Sequence, residues 1–146
     1  MRALGDYETA SEADYTGKKF ITYAGWNSNF SKPIPLPMQR AIMEPYCVKN
    51  KIEYTSYEFE NEHCDWQPAL EHHIKNSGLD GIVLCSIYCL TDDLQRRNEI
   101  LQLALDKNVE LHFANELCSL KSKADLERIN FYIDFAVHKK GTHVWE

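Results

Sequence analysis

Gly81–Ser86 (GIVLCS) constrains this chain more than any other segment. A short run that stays apolar, instead of alternating, belongs to a strand covered on both faces. Covering both faces takes helices, and segments with helical character flank this run on either side. Before it, Met38–Asn50 carries an imperfect apolar stripe, with Pro45 expected to kink that helix or delay its start. Pro68 suits the first turn of a helix ending near Ser77, with Gly78 as its stop. After it, Thr91 is placed to cap a helix whose buried side is Leu94, Ile100, Leu101, Leu103, Ala104 and Leu105. A last helix spans Lys123–Val137 on Leu126, Ile129, Ile133 and Val137. Three further strands are expected at Lys18–Ala24, Ile52–Phe59 and Val109–Ala114, and an irregular loop at Asn27–Pro37, where Pro33, Pro35 and Pro37 fall. Strands alternating with helices predict an α/β, three-layer sandwich with a mostly parallel sheet of about four strands.

The chain has 146 residues, enough for one domain. At 44% hydrophobic it can bury a real core, and no apolar run approaches the roughly 20 residues of a membrane span. Five cysteines at irregular spacing predict free thiols and a cytoplasmic setting. The formal charge of −6 argues against a phosphate-backbone partner. Half of that excess lies in residues 1–17, where Asp6, Glu8, Glu12 and Asp14 face only Arg2. The expected layout is a flexible acidic leader over 1–17, an α/β domain over 18–138 and a tail over 139–146.

In open α/β sheets, ligands bind beyond the carboxyl ends of the strands. Four segments should share that edge: Gly25–Ser31, Glu60–Asp65, Ser86–Asp92 and Asn115–Ser119. Asn27, Ser28, Glu60, Glu62, His63, Cys64, Ser86, Tyr88 and Glu116 are the polar groups this places together. No dinucleotide fingerprint, phosphate-binding loop, nucleophile elbow or zinc-protease motif occurs, and no cofactor is expected. His63, Cys64, His72 and His73 have an awkward spacing for a zinc site, so no metal is expected either. His112, inside an apolar strand, is either a satisfied structural histidine or an acid/base group reaching Glu116 or a ligand. Arg96 and Arg97 form either a solvated helix face or a clamp for phosphate or carboxylate.

Two resemblances rest on particular residues. Y-A-G-W-N-S after the first strand, M-Q-R-A-I-M-E-P-Y-C, D-G-I-V-L-C-S and V-E-L-H-F-A-N-E together resemble the catalytic domain of serine recombinases, the resolvase/invertase family, over Lys18–Ala136. That implies a resolvase- or flavodoxin-like sheet. Where the family's first strand carries tyrosine, arginine and serine, this chain has Tyr23, Gly25 and Asn27, with Ser28 one residue on. Cys89 and Asp92 stand where the resemblance implies further arginines, so the DNA-cleaving chemistry is not implied.

The chain is also similar to a group of small proteins from sporadic bacterial surface-carbohydrate (O-antigen-like) biosynthesis clusters. The carrying motifs are Pro35, Gln39, Tyr46 and Cys47, then Leu79–Ser86, Leu111–Glu116 and Asp125–Ile129. This implies a cytoplasmic role in making or modifying a sugar precursor, without naming a reaction. The expected partner is thus a sugar, sugar phosphate or nucleotide sugar at the strand edge, with no nucleic acid and no membrane. His112 and Glu116 are the candidates for acid/base work, with Gln39, Ser86, Arg96, Asn27 and Ser28 binding substrate. The alternative is a non-catalytic accessory subunit or homo-oligomer, a dimer through the aromatic-rich last helix around Ile129–Ile133. The other, a residual DNA-binding protein, conflicts with the missing serine and arginines.

Overall fold

A computed structural model describes residues 14–25, 34–60, 66–76 and 78–141. Strands β1 (Phe20–Ala24), β2 (Tyr54–Phe59), β3 (Gly81–Leu84), β4 (Glu110–Phe113) and β5 (Cys118–Leu120) form one sheet in the order β2-β1-β3-β4-β5. The first four are parallel, and β5 returns antiparallel along β4. The helices are α1 (Leu36–Lys49), α2 (Pro68–Asn76), α3 (Leu94–Asp106) and α4 (Lys123–Gly141), with a 3₁₀ turn at Ile87–Cys89. The α/β expectation holds, with one strand beyond the expected four. At three residues, directly after a turn, β5 is too short to show a period.

β3 is buried along its whole length, as its composition requires. Register places Phe20, Gly81 and Glu110 side by side, then Thr22, Val83 and His112, all on one face. Ile21, Ile82 and Leu111, then Tyr23, Leu84 and Phe113, take the other. The Tyr46 hydroxyl reaches His112 at 2.6 Å, which puts α1 on the first face. Tyr23 bonds Glu60 at the start of α2, which puts α2 on the second. α3 packs on α2, and α4 on α3 and β5. A right-handed crossover requires this split, because β1-to-β2 and the later connections run in opposite directions across the sheet.

Several expected boundaries shift for identifiable reasons. α1 begins at Leu36, so Leu36 and Pro37 belong to the helix and not to the preceding loop. Pro37 sits in the first turn, where a missing N–H costs nothing, and Pro45 lies inside the helix without delaying its start. Asp93, not Thr91, caps α3, accepting from the Arg96 N–H at 2.8 Å, while the Thr91 hydroxyl accepts from the Asp93 N–H. Gly78 follows α2 with a φ of +60°, the left-handed stop its sequence position predicts. The last residues of the expected leader, 14–17, are described, and of these Tyr15 is half-buried. The Tyr15 N–H donates to the Asn50 carbonyl, and its ring stands edge-on to Phe20 and His112. Residues 1–13 lie outside the described residues. α4 continues to Gly141 and takes in the first residues of the expected tail.

Gly81 is where the first face has no slack. A Cβ built there would stand 2.4 Å from Cε2 of Phe20, whose ring is fully buried and packed edge-on against His112. Gly81→Ala should therefore cost about 1–3 kcal/mol through overpacking. The measurement is the urea midpoint, and an unchanged midpoint would show that Phe20 has room to move.

Candidate functional site

The carboxyl edge of the sheet is held by buried polar groups from α1 and the β2–α2 connection. The Gln39 side chain brackets Gly25, its Oε1 accepting from the Gly25 N–H and its Nε2 donating to the carbonyls of Gly25 and Ile34 at 2.9 Å. Gln67, with a φ of +59°, donates to Tyr23 Oη and the Cys89 carbonyl and accepts from the Thr91 N–H. The Glu60 carboxylate, 1% exposed, accepts from Tyr23 Oη and from the Ala69 and Leu70 N–H groups. A carboxylate at a helix N-terminus is held by both the amide donors and the helix dipole.

Ser86 and Glu116 meet at this edge, as the strand-end reasoning predicts. Ser86 Oγ donates to Glu116 Oε2 at 2.6 Å and accepts from the Tyr88 N–H at 3.1 Å. Glu116 Oε1 accepts from the Ile87 N–H at 2.8 Å, and Asn115 Nδ2 donates to Oε2 at 3.1 Å. Glu116 stands in the turn between β4 and β5, where Leu117 takes a φ of +56°. Four donors thus fix the Ser86–Glu116 unit.

Beside Glu116 lies a cavity of about 460 Å³. The 3₁₀ turn contributes Ile87 and Tyr88, the β4–β5 turn Glu116 and Leu117, and β5 Cys118 and Ser119. α4 closes it with Asp125, Arg128, Ile129 and Tyr132. The volume falls in the ~300–1,000 Å³ range of small-molecule sites, and the lining combines apolar walls with a few convergent polar groups. Burial, with Glu116 nearby, pushes the Cys118 thiol up to about 11, so it is protonated at neutral pH. A larger hollow of about 750 Å³ lies between α3 and α4. It is an open trough of helix-surface side chains such as Gln102 and Asp106, away from the strand ends, so the smaller cavity is the candidate site.

The other expected site residues fall elsewhere. Gln39 is fully buried and spends its amide on the backbone of Gly25 and Ile34 and on the Cys89 thiol, which donates to its Oε1. Arg96 is committed to the Trp66 carbonyl, Glu71 and Glu99, with its guanidinium over the Trp66 ring. Arg97 is neither a solvated face nor a clamp for a ligand. It is fully buried and joins α3 to α4 through Asn130 and Asp134. His112 does not bond Glu116. Its Nδ1 faces Tyr46 Oη, and its Nε2 lies 2.8 Å from Glu110 Oε1, which also accepts from Tyr15 Oη. Asn27, Ser28, Glu62, His63 and Cys64 lie outside the described residues. Among the described residues no three His, Cys, Asp or Glu side chains gather as a metal-holding group, and no helix is long and apolar enough to cross a membrane.

Sequence reasoning placed Ser86, Tyr88 and Glu116 at the edge but not the wall of α4. Asp125, Arg128 and Tyr132 recur at helical spacing beside the buried stripe, a signal that is present but hidden behind the stronger core pattern.

Compared by sequence, the chain matches no family model and no curated protein. Its fold is similar to that of a resolvase family site-specific recombinase from Streptococcus pneumoniae, with a TM-score of 0.62 at 14% identity over 84% of this chain and 89% of that one. It is also similar to the N-terminal catalytic domain of TP901-1 integrase, with a TM-score of 0.56 at 12% identity over 85% and 98% of the two chains. At this identity the likeness establishes the fold: this chain has the α/β architecture of serine recombinase catalytic domains.

The His112 cluster gives a pH dependence. Burial holds the imidazole below its ordinary value near 6.5, against the opposing pull of Glu110. The unfolded chain takes up this proton as pH falls below about 6.5, while the folded chain resists it. Stability should therefore be full above that pH and decline below it. The Glu110 carboxyl, lowered mainly by its bond to His112, acts in the same sense but only as pH falls below about 4.5. Urea denaturation between pH 8 and 5 should show the His112 slope, and His112→Gln should flatten it. An equal slope in the variant would assign the effect to another group.

Proposed function

We propose that this chain binds a sugar-type small molecule in the cleft between the strand carboxyl edge and α4, in the setting of bacterial surface-carbohydrate biosynthesis. The observation that carries this reading is the Glu116 carboxylate, fixed by Ser86 and Ile87 on the rim of a cavity flanked by Tyr88 and Tyr132. Sugars offer hydroxyls to carboxylates and C–H faces to aromatic rings, and both kinds of surface line this cleft. Glu116 serves as a fixed acceptor for a ligand hydroxyl. Should a reaction follow binding, Glu116 is a carboxylate on the cavity itself, whereas His112 is walled off by Tyr46, Glu110 and Phe20. The resemblance in motifs supplies the carbohydrate setting, and the cleft supplies the means.

One structural neighbour is a site-specific recombinase and the other the catalytic domain of an integrase, but neither description is carried over to this chain. Gly25 occupies the position where the family resemblance implies an arginine, and the net charge is −6.

Glu116→Gln should weaken binding of the responsive ligand by about 10-fold or more, the worth of one hydrogen bond to a charged acceptor. Tyr132→Ala should weaken it through the opposite wall. A thermal-shift screen of sugars, sugar phosphates and nucleotide sugars finds the ligand, and calorimetry on the variants reads the loss. A chain that answers to no member of the panel would overturn the proposal.

A second reading, self-association, is favoured by one observation. α4 exposes Phe131 at 64% and Phe135 at 58%, with their rings stacked at 6.3 Å, beside half-exposed Tyr132. Exposed aromatics at adjacent helical positions suit the core of an interface. Sedimentation should show a dimer that Phe131→Ser with Phe135→Ser converts to monomer. A wild-type chain monomeric at 100 micromolar, on the order of a weak dimer's Kd, would remove this reading.

A further inference from the structure

Resting on the sugar-binding reading, we infer that the cleft selects an uncharged sugar and discriminates against sugar phosphates and nucleotide sugars. A phosphate needs N–H donors or unpaired cations. Among the described residues, the N–H groups at the 3₁₀ turn and on the approach to α4 are already taken up by side chains of the chain itself. At the 3₁₀ turn, the Ile87 N–H donates to Glu116 Oε1 and the Tyr88 N–H to Ser86 Oγ, which in turn donates to Glu116 Oε2. On the approach to α4, the Lys121 and Ser122 N–H groups both donate to Asp125 Oδ2. The cation on this wall, Arg128, pairs through Nη1 with Asp125 Oδ1 at 3.1 Å and is half exposed, so water screens the remainder of its charge. Among the described lining residues, Glu116, Asp125 and Arg128 sum to one net negative charge. The Cys118 thiol is raised chiefly by burial, with Glu116 adding to the shift and Arg128 opposing it.

An uncharged ring meets none of this opposition. Glu116 uses three of its roughly four lone-pair directions on Ser86, Ile87 and Asn115, which leaves one for a ligand hydroxyl. Tyr88, Tyr132, Ile87 and Ile129 provide the apolar walls against which a ring's C–H faces pack.

The test is saturation-transfer NMR on the full chain at low ionic strength with matched pairs: glucose and glucose 1-phosphate, N-acetylglucosamine and its 1-phosphate, and UDP-N-acetylglucosamine. The expected result is transfer to the uncharged member of at least one pair, with the phosphorylated forms about tenfold weaker or silent. Glu116→Gln should narrow that gap, because it removes the charge that repels the phosphate. Should the variant fail to fold, the wild-type pairs decide alone. Phosphorylated ligands that bind as tightly as their parents, or more tightly, would overturn the selectivity while leaving the sugar reading in place. Silence from every member would overturn both.

Discussion

The buried Glu60 carboxylate is the constraint around which the carboxyl edge of the sheet is arranged. Sequestered from water, a carboxylate is tolerable only with a full set of donors. Tyr23 at the end of β1 and the first amides of α2 provide them. Tyr23 is in turn held by Gln67, which also reaches the backbone of the β3–α3 connection at Cys89 and Thr91. One buried charge thereby links β1, α2 and the connection after β3. Gln39 performs a similar service for Gly25, so the chain leaves β1 in a fixed direction.

Against this rigid floor, the candidate site is assembled from the later half of the chain. Ser86 leaves β3 pointing at Glu116, which the β4–β5 turn has carried to the same edge. β5 then reverses direction and sends α4 back across the cleft. The site is therefore a consequence of the antiparallel return: a fifth parallel strand would need a long crossover, and α4 would not lie beside the β4–β5 turn. Arg97, fully buried, fixes α4 to α3 through Asn130 and Asp134 and so sets the far wall.

The fold was largely legible because its main signals are local. A continuous apolar run at β3, a left-handed glycine after α2 and apolar stripes in α3 and α4 are each visible within a dozen residues. The site was legible at Ser86, Tyr88 and Glu116, because strand ends follow from strand positions. It was not legible at Gln39, Arg96 and His112. These polar residues carry the same chemistry whether they face a ligand or satisfy the interior, and only their neighbours decide. Arg96 met the Trp66 carbonyl, Glu71 and Glu99; His112 met Tyr46 and Glu110.

By itself, the sequence determined an α/β sheet with helices on both faces. Burial patterns and motif positions carry that information along the chain. Only the tertiary structure decided which polar groups are spent on the fold and which border a cavity. Hydrogen-bond partners such as Glu116 with Ser86, or Asp134 with Arg97, lie thirty or more residues apart, and no local pattern encodes a pairing at that distance.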